Sequence, residues 1–246
     1  MNANHFITSA TASASQIVES APFRRVSLTA GLLYILTFVS IPTFALYGSA
    51  HDPNFIFGNG SDNAIIAGGL LEIVVALAGI ATAIVLYPLL KKQNESMALG
   101  LVAARVLEAA TIFVGVAFLL SLVTLHQSGA GKDALATSHA LVALYDRIFL
   151  LGQSFIPAIC DLLLGVLLYK SRLVPRALSI IGIAGALPLV AGYTATMFGY
   201  IDRFSPWAGL SAVPVAVFEI SLGVYLIVKG FKPNSKIFMS SGYKKL

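Results

Sequence analysis

Ala104-Arg105-Val106-Leu107-Glu108-Ala109-Ala110 decides how this chain is read. It sets an arginine and a glutamate one helical turn apart inside an apolar run that extends from residue 97 to 126. Side chains three and four apart share a helix face. A charged group at the centre of a bilayer costs about 2.5–3.5 kcal/mol on the mild insertion scale, so such groups face a shared interior and not lipid. Neighbouring apolar runs carry lone acids as well: Glu72, Asp146, Asp161 and Glu219. The pattern is that of an integral membrane protein whose helices enclose polar groups.

Composition agrees. The chain has 246 residues, of which 57% are hydrophobic and 11% charged, against about 25% charged in soluble domains. Its mean hydropathy is +0.86. Crossing about 30 Å of hydrocarbon takes about 20 helical residues. The expected fold is all-α, a polytopic bundle of six transmembrane helices at about 26–47, 64–90, 97–126, 139–169, 177–200 and 207–228. Residues 1–23 are polar without a period and read as a disordered segment, 24–231 as the bundle, and 232–246 as a basic tail. Arg24-Arg25 precede an apolar run of about 22 residues. A secretory signal core has about 7–15, so the first span is expected to stay uncleaved. The fourth span exceeds what a bilayer needs and predicts a tilt, a kink at Pro157 or a projection beyond the lipid.

Lysine and arginine set the orientation. Twelve of the 16 lie on one side, with both chain ends: Arg24, Arg25, Lys91, Lys92, Lys170, Arg172, Arg176, Lys229, Lys232, Lys236, Lys244 and Lys245. Lys132 and Arg203 lie on the other, and Arg105 and Arg147 within spans. This asymmetry predicts cytoplasmic N and C termini. Tyr200 and Trp207 suit the outer headgroup level, with Tyr34, Tyr87 and Tyr169 as further anchors.

Small residues accompany the buried acids at helical spacing. The stripes are Glu72-Ala76-Gly79-Ala83, Ser154-Ala158-Asp161-Gly165 and Gly209-Ala212-Ala216-Glu219-Gly223, with Arg105 and Glu108 sharing a side with Gly115. Such stripes mark faces packed against other helices. His139, Asp146 and Gln153 recur every seven residues, close in angle to Asp161. Gly185, Gly192 and Gly199 do the same in the fifth span. The expected intramembrane polar cluster is therefore Glu72, Arg105, Glu108, Asp146, Arg147, Asp161 and Glu219, supported by His139, Gln153 and Ser154. Its five acids exceed its two arginines by three. Each surplus carboxyl needs a proton, a polar neighbour, water or a bound cation.

Soluble-enzyme motifs fail on inspection. Gly129-Ala130-Gly131-Lys132-Asp133 lacks the first glycine and the final Ser/Thr of a P-loop. Gly152-Gln153-Ser154-Phe155 lacks the closing glycine of a nucleophile elbow. The single cysteine, Cys160, excludes an intrachain disulfide, a four-cysteine zinc site and a CxxC pair. The four histidines form no metal set, and no catalytic residue, cofactor or nucleic-acid partner is expected. The partners expected are the lipid bilayer, with the basic tail on anionic lipid, and a small solute or proton.

Several stretches together resemble the bacterial membrane proteins grouped as domain of unknown function 4386. They are Arg24-Arg25 with Ala30-Gly31-Leu32-Leu33-Tyr34, Leu86-Tyr87-Pro88-Leu89-Leu90-Lys91, Ala98-Leu99-Gly100 with the opening motif, Leu168-Tyr169-Lys170-Ser171-Arg172-Leu173-Val174-Pro175-Arg176, and Glu219 to Phe231. The resemblance implies a multi-pass protein of the bacterial inner membrane and supplies no activity or substrate. The leading expectation is a site that transports or senses a small solute or proton. The competing one is a structural, assembly or stress-related protein whose acids only hold helices together. An intramembrane enzyme is third, for want of a nucleophile or metal set.

Overall fold

A computed structural model describes residues 23–232 apart from Asn59. The segment expected to be disordered and the basic tail lie outside the described residues, except for Phe23, which is helical and opens the first span, and the tail's first residue, Lys232. Six helices are long and apolar enough to cross a membrane: α1 (Phe23–Leu46), α2 (Asp62–Leu90), α3 (Glu95–Gln127), α4 (Gly131–Ser171), α5 (Arg176–Met197) and α6 (Pro206–Val228). No strand occurs among the described residues. This is a multi-pass membrane protein of all-α class.

Local chemistry sets the helix ends. Asn94 Oδ1 accepts from Met97 N at 2.8 Å, and the Ser61 and Ser205 hydroxyls accept from Ala64 N and Ala208 N at 3.3 Å. Each cap satisfies an N–H that the helix itself leaves unpaired. Pro206 opens α6, where its missing N–H costs nothing. Arg172 closes α4 in the left-handed region, φ 59°, and Pro175 prevents the helix from resuming at once.

Two helices depart from regular geometry at proline. In α1 the turn Thr37–Ser40 tightens to 3-10 form just before Pro42, which cannot donate to the preceding turn. In α4 the turn Leu151–Phe155 widens to π form two residues before Pro157. Pro157 has no N–H for the Gln153 carbonyl, and the extra residue of the wide turn absorbs the mismatch. Ser154 Oγ donates to Phe149 O at 3.4 Å across this turn.

Short connections make consecutive helices antiparallel neighbours, with α2 on α3, α3 on α4, α4 on α5 and α5 on α6. The ring closes where α6 meets α1. A Cβ on Gly31 would lie 2.7 Å from the Gly223 carbonyl oxygen, so the two backbones touch there. Arg24 Nη1 and Ser27 Oγ donate to Leu226 O at 3.0 and 2.7 Å. Lys232 N donates to Leu173 O at 2.8 Å, which brings the end of α6 beside the α4–α5 turn. The start of α1, that turn and the end of α6 thus form one end of the bundle, the terminal end. The segments after α1, α3 and α5 form the loop end.

Of four apolar clusters among the described residues, the two largest fill the ends of the bundle. One, toward the terminal end, contains Tyr34, Leu86, Leu101, Leu164, Phe218 and Leu222. The other, toward the loop end, contains Tyr47, Phe55, Ile65, Leu119, Leu122 and Tyr145. The outer surface exposes Leu70, Leu77, Leu107, Leu187 and Leu210, as lipid contact requires.

Three packing expectations change. Gly209 is exposed and meets nothing, so the α6 stripe begins at the half-buried Ala212. Gly185 and Gly192 do admit α6, at Pro214 and Ser211, but Gly199 lies past the end of α5 with φ 76° and turns the chain. Tyr34 is buried in the core and is no headgroup anchor.

Candidate functional site

Arg105 is the organising cation. It lies on the inner face of α3 opposite Gly79 of α2, where an added Cβ would sit 3.7 Å from Arg105 Cδ. A larger residue there would occupy the channel of the arginine stem. Nη1 donates to Glu108 Oε2 at 2.9 Å and Nη2 to Glu219 Oε1 at 2.8 Å. One guanidinium thus clamps its own helix to α6. Cys160 Sγ also donates to Glu108 Oε2, at 3.8 Å.

Asp161 stands just behind this clamp. Its Oδ1 is 3.8 Å from Arg105 Nη2, beyond hydrogen-bonding distance. The residue is 0% exposed, and neither carboxyl oxygen has a hydrogen-bond partner among the described residues. Three carboxyls therefore surround a single guanidinium, which does not lose its proton in proteins.

A cavity of about 220 Å³ opens against the clamp. It has room for roughly seven waters at about 30 Å³ each. All six helices line it. Glu108, Arg105 and Glu219 provide its charged groups, with Gln153 and Gly79 beside them. Among the described residues that line it, Ile41 alone is exposed, and it lies in the half of α1 nearer the loop end.

Glu72 forms a second group. It is 1% exposed. Its Oε1 accepts from the Tyr145 hydroxyl at 2.8 Å and from Gln153 Nε2 at 3.4 Å. Its Oε2 and the Tyr47 hydroxyl are buried without hydrogen-bond partners among the described residues. The Tyr47 ring packs on Gly68, one turn before Glu72. Gln153 belongs to both groups, since it also lines the cavity.

Asp146 forms a third group, at the loop end. It bonds Arg203 from the α5–α6 connection and His51 Nε2 at 3.1 Å. His51 Nδ1 lies 3.0 Å from Tyr47 O, which can only accept. Acceptors at both ring nitrogens fit an imidazolium. The hydrogen bond with Asp146 raises the His51 pKa above its usual value, while burial and Arg203 pull it down. Arg203 is sandwiched by rings, 4.2 Å from the Phe149 centroid and 5.3 Å from that of Phe204.

The expected single cluster is thus three groups. Arg105, Glu108, Glu219 and Asp161 come together; Glu72 joins them only through Gln153; Asp146 stands apart. Ser154 is buried in the π turn. Arg147 differs from expectation: it is exposed and pairs with no acid among the described residues. Adjacent helical positions are about 100° apart, so Asp146 and Arg147 cannot face inward together. His139 is exposed as well and meets Pro53 O at 3.3 Å. The sevenfold alignment of Asp146 and Gln153 with Asp161 assumed a regular helix, and the π turn shifts its two ends.

Sequence reasoning did not place Tyr145, Tyr47, His51 or Arg203 in these groups. Tyr145 carried a signal, a hydroxyl at a buried position of a charged helix. Arg203 and His51 carried none, because connecting segments have no periodicity from which to infer a facing direction.

Over residues 29–230 the chain matches the family described as Domain of unknown function (DUF4386). No curated protein and no solved structure matches it. The chain belongs to the DUF4386 family.

Proposed function

We propose that this DUF4386 protein binds a small organic cation in its intramembrane cavity and carries it across the membrane. The observation behind this reading is the charge of the cavity floor. Glu108 and Glu219 both face the cavity and share one guanidinium, leaving a surplus negative charge beside a space large enough for a small solute. A cation on Glu219 neutralises that surplus, and the apolar lining of Val75, Ile112, Leu189 and Val215 suits its carbon substituents.

The same reading places both termini in the cytoplasm of a bacterial cell and the bundle in its inner membrane. It rests on the twelve lysines and arginines of the terminal side against two on the other.

Proteoliposomes holding the purified protein test the transport step with radiolabelled tetramethylammonium. Uptake above that of protein-free vesicles is expected, and its loss in Glu219→Gln. Uptake equal to that of empty vesicles contradicts transport. Saturable binding without flux turns the assignment from carrier to sensor.

A further inference from the structure

We propose that Asp161 is the proton-binding site of the bundle and that Arg105 exchanges its proton for the cation: a cation seated on Glu219 releases Arg105 Nη2, which turns to Asp161 and displaces the proton held there. This inference rests on the cation-binding reading above.

Three observations carry it. Asp161 is fully buried and neither of its oxygens finds a donor among the described residues. An ionised carboxylate without a donor is strongly disfavoured in such a place, whereas a neutral carboxyl is tolerated. Next, Arg105 Nη2 stands between two acceptors, 2.8 Å from Glu219 Oε1 and 3.8 Å from Asp161 Oδ1. A movement of about 1 Å, within hydrogen-bond tolerance at one side and completing a bond at the other, trades one for the other. Finally, Glu219 lines the cavity and Asp161 does not. An entering cation meets Glu219 first and reaches Asp161 only through the arginine.

Charge balances across the exchange. Before it, Arg105 holds ionised Glu108 and Glu219, and Asp161 keeps its proton, so the group carries one net negative charge. After it, the cation sits on Glu219, Arg105 holds Glu108 and ionised Asp161, and one proton has left to cavity water. The net charge is again minus one, so the buried site never accumulates charge. The titratable and charged groups facing Asp161 are Arg105 and Glu108 from α3, Glu219 from α6, Cys160 from its own helix and Tyr34 from α1. None of the four other than Arg105 can supply the countercharge.

The test uses the full chain in detergent, in weakly buffered solution, with tetramethylammonium chloride as probe. This cation is permanently charged and brings no proton of its own. One proton released per cation bound is expected, with Kd falling about tenfold per pH unit while free Asp161 is protonated. Asp161→Asn loses the release and flattens that slope. In the unsubstituted protein, an infrared difference spectrum should show a protonated-carboxyl band vanishing on binding, and Asp161→Glu should move the band. Binding without proton release, or release that survives in Asp161→Asn, overturns the inference while leaving cation binding intact. Absence of any binding overturns the reading beneath it.

Discussion

Arg105 carries more of this structure than any other single residue. Among the described residues it is the only cation paired with Glu108, Asp161 and Glu219, and two of them bond to it directly. Removing one partner of a buried ion pair typically costs about 3–5 kcal/mol, because the remaining charge is left uncompensated. Arg105→Met should therefore lower the melting temperature in detergent sharply, and adding Glu108→Gln and Glu219→Gln should recover part of the loss. Equal melting of Arg105→Met and the parent would contradict the clamp. His51 gives a second, pH-dependent test. Its pKa is raised in the fold by the Asp146 hydrogen bond. A raised pKa contributes stability that is fully present below the unfolded value of about 6.5 and is lost as pH rises through the folded value. The melting difference between parent and His51→Gln should thus shrink from pH 6 toward alkaline pH, both extremes being about the range where histidine changes charge. A difference that grows with pH would refute the imidazolium. Much at this scale could be read in advance. Arg105 and Glu108 declared themselves as charges in an apolar run, and the small residues beside Glu72 and Asp161 marked their faces as internal. Their partners were not legible, since a contact between residues 105 and 219 depends on how two distant helices are packed.

At the scale of the element, close approach is decided by glycine, and sequence spacing alone does not say which glycine matters. Gly31, Gly209 and Gly223 look alike along their helices. In the fold, a Cβ on Gly31 would stand 2.7 Å from a carbonyl oxygen of α6. On Gly223 the nearest atom is the end of the Ile35 side chain at 3.0 Å, and on Gly209 there is nothing within 4 Å. Gly31→Ala should cost about 1–3 kcal/mol, the range for overpacking against a contact that cannot yield. Gly223→Ala should cost less, because Ile35 can rotate away and the Gly31 carbonyl oxygen, 3.2 Å from the added Cβ, needs to give by only a few tenths of an ångström. Gly209→Ala should be neutral or stabilise by up to about 1 kcal/mol through helix propensity. Thermal unfolding of the three variants in one detergent checks the order, and a Gly209 effect as large as that of Gly31 would refute it. The α4 kink shows why regular periodicity fails as a guide to facing direction. Pro157 signalled a break, but the π turn lies upstream at Leu151–Phe155. There Gly152 leaves room for Thr111, whose Oγ1 would be 1.9 Å from an added Cβ. Proline and glycine together fix that turn, and it turns Gln153 toward Glu72 while Asp146 bonds the loop end.

For the whole molecule, length and hydropathy made the six helices legible, because a bilayer sets a minimum apolar length for each crossing. The cavity was not legible, since its lining comes from all six helices and depends on how they pack together. Orientation is a separate proposition with its own test. In a Cys160→Ser background, Ser128→Cys at the loop end should react with an impermeant maleimide applied outside intact cells, and Lys92→Cys at the terminal end should not. The reverse pattern would invert the topology. The central claim is that the carboxyl-rich floor is a ligand site and not merely a structural clamp. Equilibrium binding tests it most directly, by melting the purified protein against rising tetramethylammonium. A true site stabilises the fold by about 2.7 kcal/mol at one hundred times Kd. A saturable rise in melting temperature is expected for the unsubstituted protein and none for Glu219→Gln; a melting temperature of the unsubstituted protein that stays constant at every concentration would contradict a ligand site.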